Sequence, residues 1–367
     1  MEQHFSKTVK LEITRNIPSG LESLIKETIY GRDGKLQYKH RSAFQKLQEI
    51  DEKLIFTINR NDIIINTVVL VERFTHFKEQ RIKSFYIRYL TFDKSFKSKK
   101  KQEPAQPEKP VREGSLRKFS KSYISDYFNS YVTEKGDKAV FYAYIEHANL
   151  SSFDFAGIFD FESIRKVQTL IFSRFNPVKI ECVGLMNENE KSQVIENLNK
   201  TYHDYALFST EEVFRNDNYY VYRKDNEIIA GIKASPVTWD IIKVPGLSGF
   251  VMQHILPHLP YFSKLFKSHE MNFLAFEGVW FKEGCEDQAV LLMESVCKIF
   301  KQNIGMLWFD KECRIGKRIQ ATNKLGLLNK LKSDVNADII FNYLNMNEEE
   351  KNVFRNYPSY ISAYDLT

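Results

Sequence analysis

What this sequence lacks removes several functions at once. No run approaches the ~18 consecutive apolar residues that a membrane-spanning helix needs. Met1-Glu2-Gln3-His4 does not open a secretory leader, so a cytoplasmic protein is expected. Cysteine is scarce: Cys182, Cys285, Cys297 and Cys313 form no CxxC pair and no metal-ligand spacing. They are expected to be buried thiols in a reducing compartment. His254 and His258 have the spacing of a helical metal pair, but Pro257 interrupts the helix and no carboxylate stands in register, so no metal is expected. No Ser/His/Asp, Cys/His or P-loop arrangement is legible.

A spread basic face is missing as well. The net charge is +6 over 367 residues, but Lys97–Lys121 alone holds nine Lys or Arg and three Glu. The rest of the chain is close to neutral, which argues against a duplex nucleic-acid binder. Lys97–Pro110 has four lysines at its start and three prolines at its end, with hardly an apolar residue, and reads as a mobile, solvated insertion.

What is present is one segment pattern written twice. Val9-Lys10-Leu11-Glu12-Ile13 and Leu21–Ile25 have counterparts in Val178-Lys179-Ile180-Glu181-Cys182 and Ser192–Ile195. Arg60–Ile64 is echoed by Asp225–Ile229, and Phe85–Leu90 by Phe273–Gly278. The offset is far longer than the ~20–50 residues of a solenoid, so a duplicated domain is expected, with halves 1–176 and 177–367. The length suits two domains of roughly 100–200 residues. A hydrophobic fraction of 43% and aromatics at 14% suit well-filled cores.

Both halves read β-α-β-β-β, then helix, strand, helix, strand. Arg60-Asn61-Asp62 and Lys224-Asp225-Asn226-Glu227 are hairpin turns. Ala139–Ile145, Phe273–Phe281 and Ile304–Phe309 are buried-type strands, and Ile164–Phe172 closes the first half. Helices are expected from Gly114, over Asp287–Phe300 and over Ile315–Leu331, with strands after the last. Pro236–His269 is expected as a second insertion. Early strands with short turns pair antiparallel, and the later strand–helix–strand unit implies a parallel crossover. An α/β (α+β) fold follows, each half a mixed, mostly antiparallel central sheet flanked by helices.

This order resembles the GNAT superfamily of acyl-CoA-dependent N-acyltransferases. Phe85–Phe92 resembles the family's fourth strand, Arg112–Arg117 at a helix start its pyrophosphate-binding turn, and Asn149 with Ser152 its fifth-strand asparagine and following helix. The resemblance implies an N-acyltransferase, in first place an N-acetyltransferase, moving an acyl group from acetyl-CoA or another acyl-CoA to a small-molecule or peptide amine. It implies coenzyme contacts at Tyr89, Leu90, Arg112, Gly114, Ser115, Arg117, Asn149 and Ser152 in the first half. Where the family carries a tyrosine as general acid, Asn149–Ala156 has none, leaving Tyr86 or Tyr89 as replacements and Glu146 or Glu72 as base. Glu277, a carboxylate inside an apolar strand, is either ion-paired or a site residue. The competing readings are strand packing for Tyr86 and Tyr89 and a helix cap for Asn149. A catalytically decayed binding protein, or a transferase using aminoacyl-tRNA or a long-chain acyl-CoA, remains the alternative function.

Overall fold

The computed structural model describes residues 2–31, 34–92, 115–133, 138–147, 149–215, 218–332 and 337–367. The expected insertion at 97–110, and Arg112 and Gly114, lie outside the described residues. The strands are β1 (Glu2–His4), β2 (Val9–Thr14), β3 (Gln37–His40), β4 (Lys53–Arg60), β5 (Ile63–Phe77), β6 (Gln80–Phe92) and β7 (Ala139–Glu146). They continue as β8 (Glu162–Ser173), β9 (Val183–Leu185), β10 (Tyr219–Lys224), β11 (Glu227–Lys243), β12 (Glu270–Phe281), β13 (Ile304–Asp310) and β14 (Ala337–Leu344). The helices are α1 (Leu21–Glu27), α2 (Ala43–Glu49), α3 (Ser115–Thr133), α4 (Leu150–Ile158), α5 (Lys191–Thr201) and α6 (Thr210–Phe214). They are followed by α7 (Gly246–Phe250), α8 (Glu286–Ile299), α9 (Arg314–Ala321), α10 (Leu327–Leu331), α11 (Glu348–Asn356) and α12 (Ala363–Leu366).

Among the described residues the strands join one 14-stranded sheet ordered β1-β2-β4-β5-β6-β7-β14-β8-β13-β12-β11-β10-β9, with β3 added on β11. Among the described residues two pairs are parallel, β6 with β7 and β12 with β13, and the rest are antiparallel. The expected mixed, mostly antiparallel sheet flanked by helices is what forms. Two hairpins follow from their turn chemistry: Asn61 and Asp62 have φ of 49° and 62°, Asp225 and Asn226 50° and 60°. Asn and Asp tolerate that left-handed region, and two such residues in succession match the strand twist.

The halves exchange strands. β8, the last strand of the first half, lies between β14 and β13, and β14 from the second half lies between β7 and β8. One face of the first half packs Leu11, Phe56, Leu70, Phe85 and Phe141 against Tyr123 and Phe128 of α3. The other face packs Ile55, Val69 and Tyr89 against Leu21, Ile25 and Leu47 of α1 and α2. In the second half, α5, α8 and α9 cover β10 to β13 through Val194, Leu198, Met293, Val296 and Ile319.

Several expected boundaries move. The strand expected to end before Pro236 runs on to Lys243 as β11, so only 244–269 leaves the sheet. β10 stops opposite Lys233, so Pro236 sits on a locally unpaired edge where its missing N–H costs nothing. The single helix expected over Ile315–Leu331 is two, broken where Asn323 and Gly326 take φ of 54° and 101°. After them come one strand and two helices rather than several strands. Of the four cysteines expected to be buried, only Cys297 and Cys313 are; Cys182 precedes the edge strand β9 and is exposed, and Cys285 is half-buried.

Candidate functional site

Each parallel pair opens like a V. β6 and β7 pair only over Lys83–Tyr86 and Ala139–Tyr142 and then diverge. Just past that point β6 carries a bulge, with Tyr89 and Leu90 opposite the single residue Val68, and Tyr89 at φ 53°. On the α3 and α4 side of this opening lies a cavity of about 220 Å³. Phe56, Leu70, Ile87, Phe128, Phe141 and Phe161 line it, while Asn342 and the Lys121–Asp160 ion pair, 3.1 Å apart, supply its polar rim. One water needs roughly 10–15 Å³ of such volume, so this space is large and apolar.

The second opening is shut. β12 and β13 pair over Leu274–Phe276 and Gly305–Leu307, and beyond them Tyr202, Tyr205 and Tyr360 fill the gap, leaving about 10 Å³. The strand's own backbone groups are taken by tyrosines. Tyr219 donates to the Gly278 carbonyl at 2.7 Å, Tyr202 to the Val279 carbonyl at 2.5 Å, and Gly278 N–H donates to the Tyr360 hydroxyl at 3.1 Å. An extended ligand arm finds neither space nor backbone partners there.

On the face of β6 opposite the cavity, Arg88 lies under an aromatic wall. Tyr38 stacks on Trp239 with ring centroids 4.2 Å apart, and His40 lies 4.3 Å from Tyr30. Arg88 donates to the Tyr364 carbonyl at 2.9 Å and to the Thr367 carbonyl, and Lys46 donates to the Thr367 hydroxyl. Removal from water pushes His40 down to about 3, helped by the positive charges of Arg88 and Lys46. Removal from water also lowers Lys46 to about 7, with Arg88 adding repulsion. The imidazole is therefore neutral and weakly basic at neutral pH, while the amine is poised to exchange a proton.

Behind this wall a buried charge cluster joins the two halves. Arg73 of β5 meets Asp365 of α12 at 2.5 Å and Glu212 of α6 at 3.8 Å, and Glu212 also meets Arg215 at 2.9 Å. Burial pushes Asp365 up despite Arg73. For Glu212 burial pushes the same way but is outweighed by Arg73 and Arg215, leaving it below its usual value.

The sequence-derived candidates fall into several places. Tyr86 donates to the Asp365 carbonyl at 2.7 Å, so its proton is already engaged in the seam, and burial pushes its pKa upward. Glu277 is buried on β12 with Lys233 at 3.6 Å and the Tyr360 hydroxyl at 3.3 Å, the ion-paired alternative. Glu72 pairs with Lys83 at 2.7 Å. Glu146 ends β7, and its negative charge bears on Tyr38. Tyr89 donates to the Ala43 carbonyl at 2.7 Å, and Leu90 faces the α3 side with the bulge between them. Ser115 and Arg117 stand in the first turn of α3. Asn149 is exposed and caps α4, its side chain accepting from the Ser152 N–H at 3.2 Å. Asn149→Ala is therefore expected to cost about 1 kcal/mol in urea unfolding, the usual worth of such a cap. The sequence reading missed Lys46, His40 and Asp365, because each owes its character to neighbours distant in the chain.

No family model matches this sequence, and no curated protein matches it. Solved structures match its shape. A crystal structure of Saccharomyces cerevisiae N-myristoyltransferase with bound myristoyl-CoA shares 10% identity at a TM-score of 0.56, covering 95% of this chain and 88% of that one. Another of the same yeast enzyme, with myristoyl-CoA and inhibitors, gives 10% identity and a TM-score of 0.58, covering 98% of this chain and 87% of that one. The chain thus shares the fold of that yeast enzyme along nearly its whole length.

Proposed function

We propose that this chain is an N-acyltransferase taking its acyl group from an acyl-CoA held in the opening between β6 and β7. The observation that carries the reading is the asymmetry of the two openings, one enclosing about 220 Å³ of apolar space and the other closed by tyrosines. Support comes from the fold, since the yeast enzyme of the same fold was solved with myristoyl-CoA bound. The first half, 1–176, holds the coenzyme, with its pyrophosphate at the start of α3, where Ser115 and Arg117 stand after Arg112 and Gly114. The pantetheine arm runs along the free edge of β6, and main-chain N–H groups of the Tyr89–Leu90 bulge meet the thioester carbonyl as it becomes an oxyanion.

The acceptor amine reaches this carbonyl from the aromatic wall on the other face. Its nitrogen attacks, the C–N bond forms and the C–S bond breaks. The proton lost by the amine passes to Lys46, and coenzyme A leaves as the thiol once its sulfur is protonated. An apolar cavity favours an acyl chain longer than acetyl.

Calorimetric titration with acetyl-, octanoyl- and myristoyl-CoA tests this. Each buried methylene is worth about 0.8 kcal/mol, so affinity is expected to climb roughly fourfold per carbon until the cavity is full. Ile87→Trp, which intrudes on the cavity, is expected to cut the climb short and spare acetyl-CoA. Absence of binding by all three thioesters would remove the proposal.

A further inference from the structure

Residues 244–269, between β11 and β12, carry apolar side chains on two sides. Val244, Met252, Leu256 and Phe262 pack on the central core, and Leu265 and Phe266 are fully within it. The others face water: Leu247 is 80% exposed, Phe250 54%, Ile255 42%, Leu259 42% and Tyr261 63%. Tyr261 holds φ 67°, a conformation that an aromatic residue rarely adopts, and this keeps its ring out at the segment's tip. The inner set anchors the segment, so the outer set is presented by a folded support rather than by a slack loop. Side chains scattered singly on a surface need no explanation, but five within fifteen residues do.

The segment's own charged residues have one sign. From Ile241 to His269 the sequence has no Asp or Glu, and its charged residues are Lys243, Lys264 and Lys267. Glu270 follows and shares Lys267 at 2.9 Å, leaving Lys243 and Lys264 without an acidic neighbour in the segment. No helix among the described residues is long and apolar enough to cross a membrane. Exposed apolar side chains on a segment whose charges are all lysines, and which is too short to span, are the pattern of a surface that rests in the interface of an anionic bilayer.

We infer that residues 244–269 dock this protein on an anionic lipid surface, Leu247, Phe250 and Tyr261 entering the headgroup–acyl boundary and the lysines meeting lipid phosphates. The inference is independent of the acyl-transfer reading. Co-sedimentation with vesicles of phosphatidylcholine and phosphatidylserine at about two to one, against phosphatidylcholine alone, tests it. The protein is expected to pellet with the mixed vesicles, and raised salt is expected to release it. The triple variant Leu247→Ser, Phe250→Ser, Tyr261→Ser is expected to partition at least about tenfold more weakly with an unchanged urea midpoint. Leu150→Ser, at a residue 73% exposed elsewhere, is expected to bind like the parent. Protein that stays in the supernatant with both vesicles, or that self-associates through the patch instead, overturns the inference, as does a triple variant that binds like the parent.

Discussion

Exchanging Lys46 for Met is expected to lower kcat/KM for an amine acceptor by about 10²–10⁴-fold, the usual worth of a placed general base, while making the protein more stable at neutral pH. The two effects share one cause. In the folded chain Lys46 loses its proton at about 7, against an ordinary 10.5. Between those values the unfolded chain holds a proton that the folded chain does not, so stability rises with pH across that window. At pH 7 and below, the folded protein bears the charged amine in a poorly hydrated place. Met keeps the stem's packing and removes the charge, so the rise with pH disappears and stability at neutral pH increases. The rate depends on the same proton in the opposite sense: only the neutral amine accepts one, so the parent's activity falls as pH drops through about 7. A variant that loses rate and stability together marks Lys46 as structural. A variant that keeps the parent's acid limb shows that another group takes the proton.

Arg73→Ala is expected to lower stability by about 3–5 kcal/mol, because it strands buried carboxylates. Asp365 loses its partner at 2.5 Å, and Glu212 keeps only Arg215 at 2.9 Å. The loss is expected to depend on pH with a definite sign. Asp365 is already held above its usual value by burial, and without Arg73 it rises further. The folded variant then binds a proton that the unfolded chain releases, so its stability falls as pH rises above the ordinary carboxylate range. Urea unfolding at pH 4.5 and pH 7.5 reads this directly, the first lying just above the ordinary Asp value of about 3.9 and the second far above it. A deficit that is equal at the two pH values contradicts the charge account and leaves only lost packing. Replacing Arg73 and Asp365 together by apolar residues of similar volume is expected to recover much of the loss.

How much of this was legible depended on the range of the interactions. The two Asn/Asp turns, the all-apolar β7 and the inner face of α8 are written within a few residues, and they form as the sequence pattern dictates. Glu277 advertised itself as a carboxylate in an apolar strand, though only the structure shows that Lys233 and Tyr360 hold it. Strand exchange left no local trace, because β8 and β14 have the same buried pattern whichever neighbour they take. Pro236 suggested a break because its single-residue signal ignores that β10 has already ended beside it. The Lys46 amine looked like any helix-surface lysine; its depressed pKa comes from burial and, second, from Arg88, 42 residues on in the chain. The cavity, equally, is a product of where β6 leaves β7.

The exchange of β8 and β14 sets an order of events in time. β7 is finished at Glu146, but the strand that pairs along its far edge begins at Ala337. At synthesis rates of roughly 5–20 residues per second, that edge waits about ten to forty seconds for its partner. β7 is apolar on both faces, so throughout this interval the nascent first half carries a sticky strand whose far edge is unpaired. The sheet stays incomplete between β7 and β8 until β14, Ala337–Leu344, has emerged. Completion of the first half's sheet thus waits on β14, and the far edge of β7 stays open until it arrives.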